Sequence, residues 1–245
     1  MHWSWMRLAA GAAGLSGVVA GFIVNVDRAT RQGQDLALVL ANYFSLFTII
    51  TTILSVVALT GAAAWSMRHP GTSREPFPIA LGLAVVTGPM LLLGIVYNVL
   101  LRGLPSEVAL ADAPGIAFLD HWAIEVLLVV LPIYLLVDLL FATRRRGLPW
   151  KTLFVIVGYP LAWITYTMIR GELVPDPSGS NPWWYPYPFL DPHGSGGWAS
   201  AFLYIGVLTG LLLGIGAITI AVGRFRERRA IAREAVAEPV GALQA

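Results

Sequence analysis

Six runs of the chain are apolar enough to cross a bilayer, each near or above the roughly 20 residues a spanning helix needs. They are Trp5–Val26, Leu36–Trp65, Phe77–Leu101, Phe118–Phe141, Leu153–Arg170 and Trp198–Val222. In lipid each has to be helical, because unpaired backbone groups find no water there. The second run is long enough to add a turn at the membrane surface. Pro132 and Pro160 predict kinks in the fourth and fifth. No connection holds a soluble domain, the longest running from Gly171 to Gly197. The pattern predicts an all-α polytopic membrane protein with six transmembrane helices in one bundle. Residues 1–235 form that domain and 236–245 a disordered tail.

Composition narrows the class. Of 245 residues, 57% are hydrophobic and 12% charged, about half the roughly 25% charge of a soluble domain. So few charges cannot coat a soluble fold. An ordinary soluble enzyme, a disordered chain and a nucleic-acid-binding domain are excluded. Without cysteine there are no disulfides, thiolate metal sites or cysteine nucleophiles. Arg7 followed by the apolar stretch Leu8–Val26 imitates a signal peptide, but later spans follow and no convincing cleavage site does, which marks a retained span.

The charges sort by side. With both termini in the cytoplasm, Arg28, Arg31, Arg102 and Arg170 lie outside and the other twelve of 16 Lys and Arg lie inside. The outer connections hold Glu107, Asp112, Glu172, Asp176 and Asp191. That bias predicts cytoplasmic termini. It also makes the basic run Arg224–Arg233 a topology anchor on anionic lipid rather than a nucleic-acid contact. The Ala, Gly, Arg and Pro usage points to a bacterial plasma membrane.

Polar groups inside spans are expensive, so each is informative. His121 and Glu125, four apart, share a face of the fourth run. An imidazole there can exchange protons near neutral pH, with Glu125 to orient it. The structural alternative is an interfacial histidine, with Glu125 paired to Arg102 or Arg170. Ser45, Thr48, Thr52 and Ser55 make a hydroxyl stripe on the second run, with Asn42 at its edge. Such a stripe either bonds helix to helix or offers a nucleophile to a nearby base. Thr87, Asn98 and Arg102 align in the third run, and Tyr159, Trp163, Tyr166 and Arg170 in the fifth. Gly206, Gly210 and Gly214 recur at steps of four in the sixth, a face for close packing within the bundle or in a homo-oligomer. The connection Asn181–Gly194, dense in Pro and aromatics, suits a lid and carries Tyr187, Asp191 and His193. His121, Glu125, Asp191 and His193 are ligand types for zinc or manganese. No close pair has metal-site spacing, so neither a metal nor another cofactor is expected.

Several pieces also form an ordered set. They are Asn42-Tyr-Phe-Ser-Leu-Phe-Thr-Ile49, a lone histidine ahead of Leu131-Pro132 and Asp138, then Tyr159-Pro160, Arg170-Gly171 and Tyr185-Pro-Tyr-Pro-Phe-Leu-Asp191 with Gly194. In order and spacing, over roughly residues 41–198, they resemble bacterial six-helix members of the androgen-induced-gene-like (FAR/AIG-like) superfamily. Its eukaryotic branch consists of intramembrane threonine hydrolases that cleave esters between a fatty acid and a hydroxy fatty acid. A threonine and a histidine on different spans are essential there. The resemblance implies Thr48 and His121 for that pair. One departure is Thr51-Thr52, where bacterial relatives often carry Ser-Asn. An amide able to orient the nucleophile or bind an oxyanion is therefore absent.

The leading expectation is an intramembrane hydrolase of lipid-like esters, with membrane lipids and a lipid-like substrate as partners. His121 takes the proton of Thr48, whose oxygen attacks the carbonyl. Glu125 orients His121, and Asn98, Tyr159 or Tyr187 donates to the oxyanion. Asp191 and His193 sit in the lid. The alternative is a non-catalytic membrane protein, either a lipid or small-molecule carrier or a partner subunit, in which every polar stripe is helix packing. A third reading is a metal-dependent membrane hydrolase using His121, Glu125 and His193. Geometry separates them. Counted from Leu36, Thr48 lies ~18 Å deep and His121 much shallower. The pair meets only if the second span enters the bilayer nearer Asn42 or His121 sits deeper.

Overall fold

The computed structural model describes residues 2–69, 71, 74–102 and 112–237. Among the described residues there are helices and connections, and no strand. The first span, α1 (His2–Gln32), exceeds the expected Trp5–Val26 at both ends. It stops at Gly33, whose φ of +64° is the left-handed conformation that glycine favours. The chain restarts as α2 (Leu36–Ser45). Asp35 caps it, its carboxylate accepting from the Ala37 and Leu38 amides at 2.9 and 3.3 Å.

The second span is not the unbroken helix expected over Leu36–Trp65. It breaks at Leu46, which is extended (φ −61°, ψ 133°), and resumes as α3 (Phe47–Arg68). No proline or glycine marks the place. Partners from the fifth span stabilise the break. Trp163 Nε1 donates to the Ser45 carbonyl at 2.9 Å, and Arg170 donates to the Asn42 side chain at 2.6 Å.

The third span, α4 (Phe77–Val96), ends in a π-helical turn, Tyr97–Leu101. The fourth is α5 (Pro114–Glu125), a π-helical turn over Val126–Val130, and α6 (Leu131–Phe141). The kink expected from Pro132 takes this form. Proline has no N–H, so the Leu128 carbonyl loses its usual partner, and the wider turn accommodates the ring. Asn98 Nδ2 supplies a donor at 3.2 Å while also donating to the Gly94 carbonyl at 2.8 Å. A 3₁₀ turn, Trp150–Thr152, leads into α7 (Leu153–Leu173), and the sixth span is α8 (Gly197–Ala237). The helix thus covers the first two residues of the expected tail. The rest of the tail and Glu107 lie outside the described residues.

Among the described residues six helical segments are long and apolar enough to cross a membrane, so the chain is an all-α polytopic membrane protein. The third span is central. It packs against α3, α6, α7 and α8, and Ala80, Leu83 and Met90 are fully buried. The outer surface is apolar: Phe154 is 82% exposed, Leu203 67% and Val57 65%. Water does not tolerate such a band, and lipid does.

The end of the bundle that carries both termini is joined by a buried ion network. Arg7 forks onto the two Asp138 oxygens through Nε at 2.7 Å and Nη2 at 3.1 Å, while Nη1 reaches Glu75 at 2.5 Å. Arg145 at 2.8 Å and the Trp3 indole at 2.7 Å complete the shell of Asp138. Two guanidiniums therefore balance two carboxylates, all of them buried. Arg226 on α8 donates to the Leu139 and Ala142 carbonyls at 2.7 and 2.9 Å, closing the C-terminal end of α6. Removing one partner strands the others away from water. Asp138→Ala is expected to cost about 3–5 kcal/mol, seen as a lowered thermal midpoint in detergent. An unchanged midpoint contradicts this role.

Candidate functional site

The break at Leu46 makes Thr48 the second residue of a new helix instead of a mid-helix position. The amides of Phe47, Thr48 and Ile49 have no partner within α3. The first bond that reaches back runs from the Ile50 amide to the Leu46 carbonyl at 3.0 Å. Thr48 is half-buried, and its Oγ1 lies 3.3 Å from the hydroxyl of Tyr187 in the connection between α7 and α8. Burial holds the Tyr187 phenol above its ordinary range, an effect that its bonds to Thr48 partly offset. The hydroxyl therefore keeps its proton.

Beside this pair lies a cavity of about 210 Å³. Its walls include Phe47 and Thr48 of α3, Leu92, Leu93 and Val96 of α4, and Tyr97 and Leu128 of the two π-helical turns. Pro160 and Trp163 of α7 and Leu208 and Leu212 of α8 complete the helical part, and Tyr187, Phe189 and Leu190 close the remaining side. Among the described residues, no carboxylate, imidazole, guanidinium or amine lines it. Its polar groups are the hydroxyls of Thr48, Thr209, Tyr97, Tyr187 and Tyr204 and the indole N–H that Trp163 gives to Ser45.

The segment that closes the cavity is fastened to the end of α7. The Trp184 amide donates to the Gly171 carbonyl at 2.9 Å. Tyr185 Oη donates to Glu172 at 2.7 Å, and His193 Nε2 lies 3.0 Å from the same carboxylate oxygen. Gly171 is required by close approach: a Cβ there would lie 2.5 Å from the Tyr185 ring. The Tyr187 and Phe189 rings stack at 5.3 Å, and Leu190 is buried.

The structure joins some of the predicted site residues and separates others. Thr48 and Tyr187 meet at the cavity. His121 is exposed on α5, hydrogen-bonds no described residue and does not line the cavity. The fourth span contributes Leu128 instead, seven residues on from His121, a helical rise of about 10 Å. Glu125 pairs with Arg102, not with His121. Tyr159 bonds Thr51 at 2.8 Å and stacks on Phe47 at 5.6 Å. Asn98 gives its amide to backbone carbonyls. Asp191 Oδ1 accepts from the His193 amide at 2.9 Å, and the His193 ring turns to Glu172. Among the described residues no three His, Asp or Glu converge on one point.

The glycine stripe turns outward. A Cβ on Gly206, Gly210 or Gly214 would meet nothing within 4 Å, so those residues do not pack within this bundle. Three contributors went unrecognised as site residues in the sequence. Leu128 is one apolar residue in an apolar run. Trp163 was visible only as part of an aligned face. Glu172 read as one outer acid among several. A scan of protein-family models and searches of curated proteins and of solved structures return no match to this chain.

Trp163→Phe keeps the ring and removes the N–H, leaving the buried Ser45 carbonyl without that donor. A loss of about 1–3 kcal/mol is expected, measured as a lower thermal midpoint than wild type. Equal midpoints would show that the break at Leu46 does not depend on this bond.

Proposed function

We propose that this chain is a non-catalytic membrane protein that holds one hydrocarbon chain of a lipid-like molecule in the cavity between α3, α4, α7 and α8. The observation that carries the reading is the cavity wall, which among the described residues is apolar except for a few hydroxyls and an indole N–H and has no acid or base. Such a wall solvates hydrocarbon and holds no general base for a reaction. Its volume of about 210 Å³ is below the roughly 300–1,000 Å³ of a site for a drug-sized ligand. It suits a segment of one chain, with the headgroup left outside. Thr48 and Tyr187 offer that segment a pair of hydroxyls at one edge. The sorting of Lys and Arg supports cytoplasmic termini, and composition supports a bacterial plasma membrane. The outward glycine stripe of α8 suits packing against a second copy.

One observation favours hydrolysis as a second reading. Thr48 stands in the first turn of α3, where amides without a partner inside the helix suit an oxyanion, although Tyr187 already takes the Thr48 amide, and the FAR/AIG-like resemblance points to the same residue. This reading needs a base to reach Thr48, and His121 is the one the resemblance supplies.

Photolysis with a diazirine-bearing fatty alcohol separates the readings. The binding reading expects label on residues 92–97 and 204–212, lost in Leu208→Trp, which fills the cavity, and retained in His121→Ala. Label spread evenly over lipid-facing positions such as Val57 and Phe154 contradicts it. The hydrolase reading instead expects a fluorophosphonate probe to label wild type and to spare both Thr48→Ala and His121→Ala.

A further inference from the structure

We propose that the segment closing the cavity is a pH-sensitive lid, with His193 and Glu172 as its clasp. The inference rests on the cavity reading only for what the lid admits, not for the lid itself. Its basis is how few polar bonds hold the segment. The side chains that close the cavity, Tyr187, Phe189 and Leu190, lie between two residues tied to one atom, Glu172 Oε1. Tyr185 donates to that oxygen from one side of the segment at 2.7 Å. His193 reaches it from the other side at 3.0 Å. A single carboxylate thus bolts down both ends of the closing segment. The rest of the polar fastening includes the Trp184 amide on the Gly171 carbonyl, the Thr48–Tyr187 contact and Arg170 over the Trp184 ring. The segment also packs through Leu190 and through aromatic contacts of Tyr187 with Trp163 and Phe189 with Tyr204.

The groups around the imidazole fix the direction of the pH effect. From α7 it faces Glu172. Within the connection it faces Trp183, stacked at 3.9 Å, the Tyr185 ring at 6.4 Å, and Asp191, whose carboxylate takes the His193 amide. Arg170, the nearby cation of α7, is turned toward Asn42 and over the Trp184 ring. The ionisable neighbours are therefore acidic. Burial, and then the Glu172 carboxylate, push the Tyr185 phenol above its ordinary range, so Tyr185 donates at every pH considered. Imidazole is the side chain that changes charge between about pH 5 and 8. As imidazolium, His193 adds charge to the bond with Glu172, and charge-assisted bonds are roughly twice as strong as neutral ones. The clasp is tightest on the acid side and loosens as pH rises and the proton leaves. At still lower pH it weakens again, when Glu172 takes a proton. Both partners are partly exposed, 34% for His193 and 41% for Glu172. Protons reach them freely, and the effect is limited to about two- to fivefold.

The chain has no cysteine, which gives a direct test without any ligand. Leu190→Cys places one thiol under the lid, and Gln32→Cys places a reference thiol on an exposed site. The rate of maleimide labelling at 190, divided by the rate at 32, is followed between about pH 5 and 8. The ratio is expected to rise about two- to fivefold with pH. It is expected to be flat in the His193→Gln and Glu172→Gln backgrounds. A flat ratio with His193 present, or an equal rise in His193→Gln, overturns the proposal. Should Leu190→Cys fail to fold, Phe189→Cys reports the same closure. Failure of the cavity reading appears separately, as loss of specific photolabel with the pH response intact.

Discussion

A bilayer offers no hydrogen bonds, so any backbone group released inside it must find a partner in the protein. That constraint organises the site. Two carbonyls are released beside the cavity, one by the break at Leu46 and one by Pro132. The Ser45 carbonyl is taken by Trp163 and the Leu128 carbonyl by Asn98. Each repair joins two spans, the second to the fifth and the third to the fourth. Trp163 and Leu128 then become walls of the cavity. The hydrocarbon-lined space is a by-product of irregular backbone that the surrounding side chains make tolerable.

The two ends of the bundle are stabilised differently. At the end with both termini, Arg7, Asp138, Glu75 and Arg145 are buried, balanced and mutually dependent. Buried charges of that kind hold only as a set, which fixes that end. At the other end the bonds that hold the segment over the cavity are partly exposed and individually weak. A fixed base and a closable rim suit a protein that takes molecules from the membrane at one end.

Much of the fold was legible in the sequence because lipid leaves a helical span few options. Apolar runs gave the six spans, and Pro132 announced the irregularity of the fourth. The break at Leu46 was not legible. Neither Gly nor Pro stands there, and its cause, Trp163, lies 118 residues away. The site was legible in part. Thr48 and Tyr187 could each be named from type and place, but their pairing needed the break and the connection together. His121 drew attention because imidazole in a span is rare. What lies around it could not be read: Glu125 is engaged by Arg102, and the fourth span turns Leu128 to the cavity. Leu128 carries no chemical signal in an apolar run, although it is the residue that the fourth span brings to the cavity wall.

The central claim is a single apolar site for one hydrocarbon chain. Native mass spectrometry of the purified protein with a single-chain fatty alcohol tests it most directly. The account predicts one adduct per chain at saturation, surviving mild activation and absent from a variant whose cavity is filled by a larger side chain. A ladder of adducts that is the same in both proteins would mean the molecule only coats the outer surface, and would contradict the account.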